Sequence, residues 1–184
     1  MKRIVLVFGL IAGGIMSLMM AVTIPFIDRI GVHSEVLGYT TMVLAFLLVF
    51  FGIRSYRDNT TGGLLSFSKG FGVGILIVLV ASLCYVATWE VLYYGFFPNF
   101  AENYAAHAIE AARASGATAA QIAEKTREME QFRQMYKNPL VNIAFTFIEV
   151  FPVGLVMTIV SAGILSRRRT TGQPLQSATP AGVR

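Results

Sequence analysis

The sequence predicts an all-α membrane protein, a bundle of four transmembrane helices with an extracytoplasmic helical hairpin between spans three and four. One observation is the presence of four apolar runs, each long enough at about 1.5 Å per residue to cross a hydrocarbon core of roughly 30 Å. Another is composition: 55% of the 184 residues are hydrophobic and only 14% are charged, where soluble domains carry about a quarter. The third is the placement of Lys and Arg beside the apolar runs, which fits membrane orientation better than one continuous basic stripe.

The first run, 4 to 27, follows Lys2 and Arg3. A cleaved signal peptide begins the same way, but its apolar region is usually about 7 to 15 residues and ends at a small-x-small site. The run here is longer, and Met19 with Ala21 makes a poor site, so a retained anchor is expected. The second run, 36 to 53, is short but sufficient; the third, 71 to 97, is long enough to tilt or to emerge. The fourth covers 140 to 165. Gly9, Gly13 and Ser17 form a small-xxx-small stripe on the first span, Gly70 and Gly74 on the third, and Gly154, Thr158 and Ala162 on the fourth, each suited to close helix approach.

Lys2 and Arg3 precede the first span; Arg54, Arg57 and Lys69 lie between the second and third; Arg167, Arg168 and Arg169 follow the fourth. An even number of spans puts these clusters on one side, which the positive-inside bias assigns to the cytoplasm together with both chain ends. The other side receives the loop from Asp28 to Glu35 and the long segment 98 to 139.

That segment is expected to be a helical hairpin. Phe100 to Ala114 is rich in helix formers, Ser115 to Ala117 interrupts, and Thr118 with Gln121 offers a capping box for a second arm. Along that arm Ile122, Met129, Phe132 and Met135 or Tyr136 fall near one face. The face can pack on the first arm and the membrane surface, or it can serve a homo-oligomer or a membrane-protein partner. On the cytoplasmic side, Arg54, Tyr56, Arg57 and Asp58, followed by Asn59, Gly62 and Gly63, read as an interfacial turn. Beyond 170 the Thr-, Pro- and Ser-rich tail lacks any apolar period, so a disordered cytoplasmic tail is expected over 170–184.

The candidates for chemistry are few. Glu90 and Glu149 lie inside apolar runs, where charge costs at least a few kcal/mol and carboxylates generally face a bundle interior or a wet cavity. Counted from the outer ends of their spans, both sit about 10 to 14 Å deep. Pro152 removes the donor that would bond the Ile148 carbonyl, one residue before Glu149, so a local opening is expected there. The same residues fit two roles: a functional pair beside a broken helix, or protonated groups bonded to each other, to Thr88, Tyr93 or Thr146, or to a freed carbonyl, holding helices together.

The net charge of +5 and the pI near 9.6 do not indicate nucleic acid, since the basic residues form no binding stripe. Gly70-Phe-Gly-Val-Gly74 lacks the third glycine, preceding strand and distal acid of a nucleotide loop. Cys84 is the only cysteine, and His33 and His107 lie in separate segments, so no metal site or disulfide is expected. No serine elbow or comparable grouping supports catalysis. Neither catalytic residues nor cofactors are expected; the expected partner is the lipid bilayer, with the hairpin 98–139 available to a homo-oligomer or a membrane-protein partner.

Two separated motifs carry a resemblance: Gly52-Ile-Arg-Ser-Tyr-Arg-Asp58 with Gly62-Gly63 and Phe67, and Tyr136-Lys-Asn-Pro139 leading into Thr146-Phe-Ile-Glu149-Val-Phe-Pro152-Val-Gly154. Together they resemble the bacterial family called domain of unknown function 4199, from Lys2 to Arg168. The resemblance implies a four-span protein of the bacterial inner membrane and supplies no activity. Three functions remain open: a non-enzymatic bundle acting through protein or lipid partners; a small transporter or proton-coupled carrier using Glu90 and Glu149; and, with only position in its favour, a lipid-directed enzyme at the Arg57-Asp58 turn.

Overall fold

The computed structural model describes residues 1–26 and 33–166. Residues 27–32, which hold the first part of the loop from Asp28 to Glu35, the Arg167 to Arg169 cluster and the expected disordered tail lie outside the described residues. Six helices follow in order: α1 Lys2–Thr23, α2 His33–Thr60, α3 Phe67–Gly95, α4 Phe100–Ala114, α5 Ala119–Tyr136 and α6 Pro139–Leu165, with a 3-10 turn Ile24–Phe26 after α1. No strand occurs among the described residues. Helices α1, α3 and α6, together with residues 36–60 of α2, are long and apolar enough to cross a membrane.

The helix ends have local causes. Pro25 cannot donate to a carbonyl four residues back, so α1 gives way to the 3-10 turn. Ser66 caps α3, its Oγ accepting from the Lys69 amide at 3.4 Å, and Asn138 caps α6 through the Leu140 amide at 3.0 Å, with Pro139 at the first helical position. The hairpin forms as the residues predict. Gly116 takes φ +80 after α4, and the Thr118–Gln121 capping box starts α5.

One expected boundary shifts. Arg54, Tyr56, Arg57 and Asp58 belong to the last turns of α2 and not to a turn, because the helix continues to Thr60. An Arg54–Asp58 pair at 3.6 Å and an Asn59–Ser55 side-chain bond at 3.2 Å run at i,i+4 spacing and suit a helix. The chain reverses only at Gly62 and Gly63, at φ 61 and 87. Leu65, two residues after Gly63, returns into the core.

In the bundle α1 packs on α3 and α2, and α6 packs on α3 and α2, while α2 and α3 also touch across the diagonal. α1 and α3 run parallel: Gly9 faces Ile77 and Val80, Gly13 faces Ala81 and Cys84, and Thr88 donates to the Ser17 hydroxyl at 2.9 Å. α3 and α6 run antiparallel, pairing Gly74 with Thr158, Val78 with Gly154 and Trp89 with Asn142. The start of α1 and the end of α6 therefore share one end of the bundle, and the α4–α5 hairpin occupies the other.

Toward the terminal end the interior is filled. Phe46, Val49, Ile53, Ile77 and Val78 are all completely buried. Large apolar side chains such as Leu18, Leu83 and Ile148 point outward on the spans, as lipid-facing surface requires.

A candidate binding cavity at the hairpin end

At the other end the helices do not close on each other. A cavity of about 780 Å³ lies there, walled by all six helices. Met16, Met20 and Met42 come from α1 and α2, and Tyr85 and Trp89 from α3. Phe100 and Tyr104 of α4, with Phe132 and Tyr136 of α5, bring the hairpin over it. The α6 wall carries Phe145, Thr146, Ile148, Glu149 and Pro152.

The hairpin is held there by rings. Trp89 meets Phe100 edge-on at 4.8 Å between centroids, and Tyr136 lies 5.5 Å from Tyr93 and 4.7 Å from Phe132. Met20, Trp89, Tyr93, Ala101 and Tyr136 form a second buried cluster distinct from the main core. On α5 the stripe of Ile122, Met129, Phe132 and Tyr136 is at least partly covered, while Met135 is exposed, so Tyr136 is the member that turns inward. The two arms are also linked by Arg133 and Glu102 at 3.5 Å.

A polar knot sits among these rings. The Trp89 indole N–H donates to Asn142 Oδ1 at 2.7 Å, and the Thr146 hydroxyl donates to the Asn142 carbonyl at 3.0 Å. The Tyr136 phenol lies against both Trp89 and Thr146, and burial pushes it up to about 12. Asn142 is wholly buried, and with its oxygen committed to Trp89 its Nδ2 has no hydrogen-bond partner among the described residues. The knot ties α3, α5 and α6 together beside the cavity.

The two intramembrane carboxylates part company. Glu149 and Pro152 line the cavity, and Glu90 does not. On α3 the cavity-facing positions are Tyr85 and Trp89, and one residue further turns Glu90 by about 100°. One oxygen of Glu90 is buried with no hydrogen-bond partner among the described residues. Thr88 and Thr146, considered as partners for these acids, bond instead to Ser17 or the Cys84 carbonyl and to Asn142. α6 continues as a helix through Pro152.

Arg54, Tyr56, Arg57 and Asp58 lie at the opposite end, where Arg57 holds Asp58 at 2.8 Å. The glycines of the stripes face neighbours closely: Gly70 lies against Leu65 and Ala162, and a Cβ at Gly154 would collide with Val78. No cluster of three or more His, Cys, Asp or Glu suited to a metal occurs among the described residues. Asn142 and Trp89 belong to no motif in the sequence; the only signals of them there are a lone Asn in the 140–165 run and the chain's single tryptophan.

No curated protein and no solved structure matches the chain. The family model for a protein of unknown function (DUF4199) matches residues 7–167, from within the first span to just beyond the fourth. With that match and its four apolar helices, this chain belongs to the DUF4199 family.

Proposed function

We propose that this protein is a non-enzymatic membrane bundle that works by holding an amphiphilic molecule in the cavity under its hairpin. The observation that carries the reading is the cavity itself. Its volume of about 780 Å³ falls in the range of roughly 300–1,000 Å³ that small-molecule sites occupy, and its walls are apolar and aromatic with a few polar groups. Phe145 and Ile148 line it and also belong to the outer surface of the bundle, at 45% and 65% exposed, so an occupant can enter from the bilayer.

Phe46, Ile53 and Ile77 fill the interior toward the terminal end, which favours a holding site over a through path. A carrier reading based on both Glu90 and Glu149 loses support because only Glu149 borders the space. The apolar stripe of α5 is largely engaged by α4 and the bundle, which weakens the case for a protein partner on that face. By the positive-inside bias, Lys2, Arg3, Arg54, Arg57 and Lys69 mark the cytoplasmic end, so we place the cavity at the extracytoplasmic face of a bacterial inner membrane.

Trp89 is the sole tryptophan and lines the cavity, so its fluorescence reads occupancy. In lipid nanodiscs a neutral amphiphile with a brominated chain is expected to quench it with a saturable component above the linear effect of bulk lipid. Gly38 also lines the cavity, with open space where a Cβ would stand, so Gly38→Phe should fill the site and remove that component. Purely linear quenching in the parent protein, or saturable quenching that survives Gly38→Phe, would overturn the proposal.

A further inference from the structure

We infer that the occupant of this cavity carries a positively charged head, an ammonium group on an apolar chain. The inference rests on the holding-site reading above and adds the chemistry of the ligand.

Several rings surround the space. Trp89, Phe100, Tyr104 and Tyr136 all border it, and Tyr85 joins them from the deeper part of α3. Successive members are in contact: Trp89 with Phe100 at 4.8 Å, and Phe100 with Tyr104 at 6.2 Å between centroids. Aromatic faces carry negative quadrupolar potential, and a cation within about 6 Å of a ring centroid is attracted to it, most strongly where water is excluded. Aromatic cages around alkylated ammonium groups use this physics.

Glu149 sets the sign of the site. It is an acidic wall residue roughly ten residues into α6, hence about 15 Å from the start of that helix. It shares the cavity lining with Tyr85 of α3 and Tyr136 of α5. A carboxylate here favours a cationic head over a phosphate or sulfate head, whose charge it repels. The remaining wall suits a chain: Met16, Met20 and Met42 are flexible thioethers that adapt to an irregular apolar partner.

The test uses the full chain in nanodiscs and three brominated single-chain probes of equal length: an alkyltrimethylammonium, an alkyl maltoside and an alkyl sulfate. Saturable quenching of Trp89 gives an affinity for each. The trimethylammonium probe is expected to bind about tenfold or more tightly than the maltoside, a difference equivalent to about 1.4 kcal/mol, and the sulfate more weakly than either. Glu149→Gln should narrow the spread between the three affinities, leaving the smaller cation preference that the rings supply. Tyr85→Leu, which keeps the carboxylate and removes a ring, should lower affinity for the cation several-fold more than for the maltoside, and it reports on the inference even where Glu149→Gln does not fold.

Equal affinities for all three heads in the parent protein would overturn the cationic assignment while leaving the cavity as a holding site. A preference for the sulfate would overturn it as well. Absence of saturable binding by any probe would remove the holding-site reading beneath it.

Discussion

Gly13 and Gly14 are neighbours in sequence with opposite surroundings, and replacing each by alanine tests the packing of α1 directly. A Cβ on Gly13 would stand 2.7 Å from Cys84 Cβ and 3.2 Å from both the Cα and the carbonyl oxygen of Ala81. Two of those three atoms are backbone, so α1 must move off α3 to admit one methyl group. A Cβ on Gly14 meets nothing within 4 Å. Alanine is favoured over glycine in a helix interior by roughly 0.5–1 kcal/mol, and this gain applies to both positions. Overpacking costs typically about 1–3 kcal/mol and applies only to Gly13. Gly14→Ala should therefore be neutral or slightly stabilising, while Gly13→Ala loses stability by up to about 2.5 kcal/mol after the helical gain is subtracted. The difference between the two variants cancels the propensity term and should be about 1–3 kcal/mol. Reversible unfolding in mixed micelles, titrated with SDS and followed by circular dichroism, measures it. Equal stability of the two variants, or a more damaging Gly14→Ala, would mean that α1 does not present this face to α3.

Two further predictions concern the polar knot. Asn142→Leu removes the acceptor of the buried Trp89 N–H, which costs about 1–3 kcal/mol; in a double-mutant cycle with Trp89→Phe the penalty should largely vanish, since both polar partners are then gone, and a coupling near zero would contradict the hydrogen bond. Burial raises the Tyr136 phenol from 10 to about 12, so it favours the protonated form in the fold. Its stabilising contribution is complete below about pH 10 and is lost as pH climbs from 10 to about 12. The gap in unfolding midpoint between the parent and Tyr136→Phe should therefore be constant below pH 10 and change above it; a gap that stays flat through that window would place the phenol in contact with water.

What the residues made legible was whatever depends on one segment alone. Four spans follow from run length, and the hairpin break from Ser115, Gly116, Thr118 and Gln121, because caps and breakers act over a few residues. α2 runs past its turn-forming residues for a related reason. Asp58 and Asn59 carry turn chemistry in isolation, but Arg54–Asp58 and Ser55–Asn59 pairs at i,i+4 hold the helix two turns further. The cavity was not legible at all, since its wall takes a few residues from each of six helices and no single run contains it. Glu90 and Glu149 looked equivalent by depth, yet a rotation of one residue separates the wall position Trp89 from Glu90. Depth is a property of one helix, whereas facing is a property of two.

The same reasoning explains why the cavity is at the hairpin end. Close approach of α1 to α3 is built from small residues, ending at Ser17 and Thr88, and that of α3 to α6 is built from Gly74 with Thr158 and Val78 with Gly154. Past those points the facing positions become Met20, Tyr85, Trp89 and Tyr136, too bulky for the same separation. Rings bridge part of the gap through the Trp89–Asn142 bond, and Phe100 and Phe132 reach in from the hairpin. α1 and α6, which are not direct neighbours in the bundle, have no such seam between them. The space left between α1, α2 and α6 is bordered by Met20, Tyr39 and Glu149, and its existence follows from where the small residues stop. Lengthening the small-residue seam is the change that would draw the helices together and close it.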